Sequence, residues 1–152
     1  VYNKGRSTVI ILDNSITGMT GHQQNPATGK DIRGDAAPAV DLEQLCRALG
    51  VNDVKTVDPF DMPALREALL ASLAFDGPSV IIARRPCALL SKARTAPLRV
   101  TQSCIGCRRC MGIACPALIF EAGRARVDIS LCNGCGLCAS VCPKGAIVKE
   151  EM

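Results

Sequence analysis

The chain has 152 residues, 48% of them hydrophobic, and a formal charge of +4. That is enough to bury one core or two small ones and excludes a disordered tail. No apolar run approaches the roughly 20 residues needed to cross a bilayer as a helix, so a soluble, cytoplasmic protein with no membrane partner is expected. Ten cysteines in so short a chain call for a disulfide framework or metal ligation, and spacing decides which.

The chain opens on Val1-Tyr2-Asn3-Lys4-Gly5, which reads like the last turn of a helix with its glycine stop, as expected of a piece of a longer protein. Ser7 to Leu12 is a β-branched run of the kind that forms a strand buried on both faces. A loop rich in Gly, Thr, Asn and Pro follows from Asp13 to Lys30 and is long for a plain connector. Asp41 is placed to cap a helix with its apolar face on Leu42, Leu45, Cys46 and Leu49 and its stop at Gly50. A short strand is expected over Val54–Val57. Asp61 then caps a second helix, with Pro63 in its first turn and Leu65, Leu69 and Leu73 along it. Ser79–Ala83 reads as a third buried strand. Strands alternating with helices predict an α/β domain with a parallel sheet, and such sheets bind ligands beyond the carboxyl ends of their strands. The loop after the first strand sits at such an end.

Arg84 to Val100, punctuated by Pro86 and Pro97, reads as a linker, with a domain boundary near residue 97: an α/β part over 1–97 and a small α+β, ferredoxin-like part over 98–152. The second part reads Cys104-x2-Cys107-x2-Cys110-x4-Cys115-Pro116, then Cys132-x2-Cys135-x2-Cys138-x3-Cys142-Pro143. Three closely spaced thiolates wrap three corners of a cubane, while a cysteine just before proline reaches the other one. By this logic Cys104, Cys107, Cys110 and Cys142 hold one 4Fe-4S cluster, and Cys132, Cys135, Cys138 and Cys115 hold a second. Structural zinc takes paired C-x2-C ligands and has no use for a third cysteine at the same spacing. Each cubane with its thiolates adds about −2, which cancels the basic balance and removes the main support for nucleic-acid binding. Gly106, Gly134 and Gly136 are expected to let the backbone fold tightly around sulfur. The first copy has four residues rather than three before its last cysteine, a bulge that removes no ligand. Cys46 reads as a buried core thiol and Cys87 as a structural one.

The stretch Leu12-Asp13-Asn14-Ser15-Ile16-Thr17-Gly18-Met19-Thr20-Gly21-His22-Gln23, followed by a two-cluster ferredoxin part, resembles the C-terminal part of the alpha subunit of the indolepyruvate:ferredoxin oxidoreductases, a thiamine-diphosphate family. The resemblance implies that the α/β part is a portion of a thiamine-diphosphate-binding domain. It implies Mg2+ bound by the Asn14 side-chain oxygen and the Ile16 carbonyl, hard ligands such as Mg2+ prefers. Thr17, Gly18, Thr20 and Gly21 would then lie near the diphosphate or thiazolium, and His22, the chain's single histidine, beside the substrate as a catalytic group. The Gly-Asp half of the family's Mg2+ motif is not in this sequence, so the fragment alone is expected to be inactive.

The complete enzyme implied is an oxidoreductase that converts aryl pyruvates and coenzyme A to acyl-CoA, working with a beta subunit and passing electrons to ferredoxin. A different 2-oxoacid:ferredoxin oxidoreductase is the nearest rival reading. A non-catalytic electron carrier, its α/β part serving only for docking, is the rival from another class.

Overall fold

The computed structural model of the chain describes residues 1–87, 90 and 95–149. These fall into two compact units, Val1–Leu90 and Ser91–Met152. The division lies inside the predicted linker but ahead of residue 97, because Thr95 and Ala96 belong with the second unit: the Thr95 hydroxyl donates to the Asn133 carbonyl. The linker's Ser91 and Lys92 lie outside the described residues.

The first unit is a parallel three-stranded sheet in the order β1-β3-β2, with β1 at Ser7–Asp13, β2 at Asp53–Val57 and β3 at Pro78–Arg84. Helix α1 (Leu42–Ala48) starts where Asp41 accepts the N–H groups of Glu43 and Gln44. Helix α2 (Met62–Ala74) starts where Asp61 accepts that of Ala64. Both caps occupy the positions their sequence predicts, since a carboxylate satisfies N–H groups that have no partner in the first turn.

Only β3 is buried on both faces. Ile81 and Ile82 are wholly shielded from solvent; Val80 and Ile82 face Cys46 of α1, while Ser79 faces α2, where its hydroxyl donates to the Ser72 carbonyl at 3.1 Å. The expectation that β1 is buried on both faces is not met: Val9, Ile10 and Leu12 are 50%, 47% and 79% exposed. The reason is position. A β-branched run specifies a strand, but β1 is an edge of the described sheet and β3 its centre. The predicted helix faces are also narrower than expected, with Leu45, Leu49 and Leu73 exposed and the buried positions falling at Cys46, Ala68 and Ser72. Small residues let α2 approach the sheet closely, and Ser72 lies in a polar network with Lys55 and Asp53. Asp53 titrates below its ordinary value of 3.8 because Lys55 hydrogen-bonds to it.

The second unit has two antiparallel pairs: β4 (Leu98–Val100) with β7 (Ile147–Lys149), and β5 (Leu118–Glu121) with β6 (Arg124–Val127). A short 3-10 helix, Arg109–Ile113, carries the last cysteine of the first triplet, Cys110, and α3 (Leu137–Ser140) carries that of the second, Cys138. Its core contains Leu98, Leu118, Val127 and Ile147 together with the thiols of Cys110 and Cys138. Sulfur is thus part of the core. Among the described residues no helix is long and apolar enough to cross a membrane.

Candidate metal centres and cofactor loop

The loop leaving β1 is held at the carboxyl end of the sheet by its own polar side chains. Asp13, opposite Arg84 in the β1–β3 register, accepts the Arg84 guanidinium at 2.8 Å and the Ser15 N–H at 3.1 Å. Asn14 Oδ1 accepts the Ile16 N–H at 3.1 Å, and the Asn14 carbonyl accepts the Cys87 N–H at 2.9 Å. An amide oxygen has two lone pairs, so one of Asn14's stays open to a cation. Ile16 is buried at 6% exposure and pins the loop to the unit. Beyond it the chain doubles back: Thr17 and Gln23 exchange N–H···O bonds of 3.0 and 3.1 Å, and the Thr20 hydroxyl meets Gln23 Oε1 at 2.8 Å. Between them lie half-buried Gly18 and an exposed tip of Thr20, Gly21 and His22, in which His22 has a left-handed φ of 59°.

The residues singled out by resemblance, Asn14 to His22, therefore form one folded loop with no bonded contact between His22 and Asn14. Asp13, Arg84, Gln23 and the Cys87 N–H, which hold this loop, were not anticipated as a group. The Asp13–Arg84 pairing follows from strand register, which no sequence spacing reveals. Cys87 acts here through its backbone.

In the second unit the thiols gather in two groups. Burial raises the Cys110 thiol above its ordinary 9.0, and Cys104, Cys142 and Cys107 beside it push the same way. Burial pushes the Cys138 thiol up to about 11, with Cys135, Cys132 and Cys115 adding to it. Each last cysteine, the one before proline, thus lies with the triplet of the other copy. Cys104 is held below the ordinary value by the N–H groups of Ala125 and Gly106. Other amides aim at sulfur as well: Ala146 N–H to Cys142 at 3.3 Å and Leu98 N–H to Cys132 at 3.5 Å. Such bonds favour thiolate and tune a cluster bound to it.

The first group surrounds a small cavity walled by Phe120 and Ile147. Among the described residues no three His, Cys, Asp or Glu side chains gather as tightly as the ligands of a single metal ion. Thiols spread around a cavity match a cubane, which distributes its four ligands over four irons. Two glycines are required for this wrapping. Gly106 (φ 68°) has its missing side chain's place taken by the Gly123 carbonyl, and Gly134 (φ 69°) by the Ala96 carbonyl and the Thr95 hydroxyl. The extra residue of the first copy is absorbed where the 3-10 helix ends on Ala114, left-handed at φ 54°. The second copy reaches Cys142 through Val141 at φ −97° with no such strain.

Comparison with known proteins agrees with both halves. The thiamine pyrophosphate enzyme C-terminal TPP binding domain matches residues 1–83, and a 4Fe-4S binding domain matches residues 125–148. The chain belongs to the thiamine pyrophosphate enzyme family and carries a ferredoxin-type 4Fe-4S region after that domain. It is 44% identical, over 97% of its length, to the indolepyruvate oxidoreductase subunit IorA of Archaeoglobus fulgidus, covering 25% of that subunit. It is 40% identical over 99% of its length to the subunit of that name from Methanothermobacter marburgensis, again covering 25%. Pyruvate synthase subunit PorD of Thermotoga maritima is 44% identical over 34% of this chain and 54% of that subunit. The chain therefore spans about a quarter of the length of the IorA subunits it matches. No solved structure gave a significant match.

Proposed function

We propose that this chain is the part of a 2-oxoacid:ferredoxin oxidoreductase subunit that joins the thiamine-diphosphate site to the electron exit, and that the complete enzyme oxidises aryl pyruvates such as indolepyruvate to acyl-CoA. The observation that carries it is two groups of four thiols on the same chain as a thiamine pyrophosphate enzyme domain. Thiamine diphosphate supplies, when bound, the carbanion chemistry that releases CO2 from a 2-oxoacid and leaves two electrons to be removed. Two 4Fe-4S clusters supply one-electron storage, which suits removal in single steps.

On this reading Cys104, Cys107, Cys110 and Cys142 hold one cluster and Cys132, Cys135, Cys138 and Cys115 the other. Asn14 Oδ1 and the Ile16 carbonyl coordinate Mg2+, while Thr17, Gly18, Thr20 and Gly21 line the diphosphate or thiazolium. The Ser15 and Ile16 turns hold Asn14 in place for this role, and the Thr17–Gln23 pairing presents His22 on the loop tip, where it relays a proton to or from substrate. A beta subunit and ferredoxin are the partners, coenzyme A and an aryl pyruvate the substrates, and the cytoplasm the location. The aryl preference rests on the names of the IorA relatives.

The test has two stages. Anaerobic protein is expected to contain about eight irons and eight sulfides per chain, with coupled EPR signals after reduction. The complete enzyme with coenzyme A and thiamine diphosphate should then turn over indolepyruvate faster than pyruvate or 2-oxoglutarate. Zinc without sulfide would remove the electron-transfer role. Preference for pyruvate would select the rival oxoacid reading, and failure to bind thiamine diphosphate the non-catalytic carrier.

A further inference from the structure

The two thiol groups have different electrostatic surroundings. Around the first, Arg108 and Lys144 line the same cavity as Cys104 and Cys107, and the Arg108 guanidinium lies 4.2 Å over the Phe120 ring. The Thr101 carbonyl accepts both the Cys104 N–H at 3.2 Å and the Arg124 guanidinium at 2.9 Å, so a third cation stands beside this group. Among the described residues the one ion pair nearby joins Arg126 to Glu121 at 3.6 Å; Arg108, Arg124 and Lys144 have no carboxylate partner there. Cys107 lines this cavity and is exposed, as is Ile105 at 62%.

The second group's triplet lies in a segment with no cation of its own, Asp128–Val141, with Arg126 the cation that acts on Asp128 at its start. Its exposed Cys135 is accompanied by Ile129 and Leu131, 65% and 58% exposed, and by the carboxylate of Asp128, which Ser130 keeps ionised by hydrogen bonds.

A protein that carries electrons on a thiolate-ligated cubane brings about −2 of charge to the edge where its cluster is exposed. A cationic rim around a small apolar centre attracts such an edge and orients it. We propose that the surface around Cys107, rimmed by Arg108, Arg124 and Lys144, is where an acidic iron-sulfur carrier protein docks and where electrons leave this chain. Cys104, Cys107, Cys110 and Cys142 would hold the cluster that gives one electron to the oxidised carrier, itself oxidised as the carrier is reduced, with no bond or proton changing place. The same cations would favour the extra negative charge of a reduced cluster held by the Cys104 group. This proposal deepens the reading above and rests on its cluster assignment.

The experiment uses the complete, anaerobically purified enzyme and a strongly acidic, oxidised two-cluster ferredoxin, with binding followed by calorimetry at low and high salt. Arg108→Glu and Lys144→Glu are each expected to raise Kd about tenfold at low salt and to flatten its salt dependence. Leu131→Glu, beside the second group, should leave Kd unchanged. Iron content is measured in each variant, and exposed Lys144 carries the test if the Arg108 variant loses iron. An unchanged Kd in the Lys144 variant, or an equal loss in Leu131→Glu, overturns the proposal. Release of a partner subunit from the Lys144 variant on size exclusion also overturns it, since the rim would then be a subunit interface. Binding needs no turnover, so an enzyme that oxidises no 2-oxoacid yet shows these shifts refutes the substrate reading alone.

Discussion

The two units of this chain are stabilised in different ways. In Val1–Leu90 order comes from a backbone ladder: β3 pairs on both sides, buries Ile81 and Ile82, and holds a loop whose polar groups satisfy one another. In Ser91–Met152 the strands have only three or four residues each, and the buried core includes the thiols of Cys110 and Cys138. So few residues bury too little apolar surface to be stable by that alone, and metal binding becomes folding free energy. The lesson is that the first unit takes its order from a backbone ladder and a self-satisfied loop, whereas the second draws part of its core from its thiols.

The largest effect that would break this comparison is loss of a ligand. Cys138→Ser is expected to abolish the cluster of its group and the cooperative unfolding of the second unit, while the sheet's thermal transition survives; iron content and circular dichroism report the two separately. Ile82→Ala should do the converse. It is expected to lower the stability of the first unit by about 3 kcal/mol in denaturant titration and to leave iron content unchanged. Gly106→Ala places a methyl against the Gly123 carbonyl at a left-handed position, and a loss of about 2 kcal/mol from the second unit, with reduced iron loading, is expected.

A smaller effect separates the units by pH. Asp53 titrates below 3.8 in the folded chain, so its stabilisation is present above that value and declines as pH falls through the depressed folded value. Asp53→Asn should cost about 1 to 2 kcal/mol at pH 7 and progressively less below pH ~4, in the first unit only. The smallest expected effect sharpens the contrast between the two cysteine copies. Ala114→Gly relieves the left-handed residue that accommodates the first copy's extra position, and should stabilise the second unit by about 1 kcal/mol. The corresponding change at Val141, which has an ordinary φ, should destabilise it.

Much of this was legible from residues alone, for reasons that are local. Asp41 and Asp61 cap helices because a carboxylate finds free N–H groups within three residues. The strands at 7–13, 53–57 and 78–84 lie where β-branched runs predict them, within two residues. The cysteine spacing suffices to divide eight thiols into two groups, because a triplet folds around one centre and the residue before proline leaves it. The residues singled out by resemblance, Asn14 to His22, are contiguous and fold as one loop.

Other features depend on strand order and packing, which local sequence does not encode. Val9, Ile10 and Leu12 look as suited to a buried strand as Val80, Ile81 and Ile82, yet β3 takes the centre and β1 the edge. Leu45, Leu49 and Leu73 fit an apolar helical face and are exposed, because contact with the sheet runs instead through Cys46, Ala68 and Ser72. Asp13 meets Arg84 only because parallel register brings together residues 71 positions apart. The cationic rim around Cys107 draws on positions 108, 124 and 144, from three separate segments. By itself the sequence determined the elements, their caps and the thiol chemistry, which act over a few residues; the tertiary structure alone decided which faces are covered and which charges surround each thiol group, because those depend on distances between segments that the chain does not place side by side.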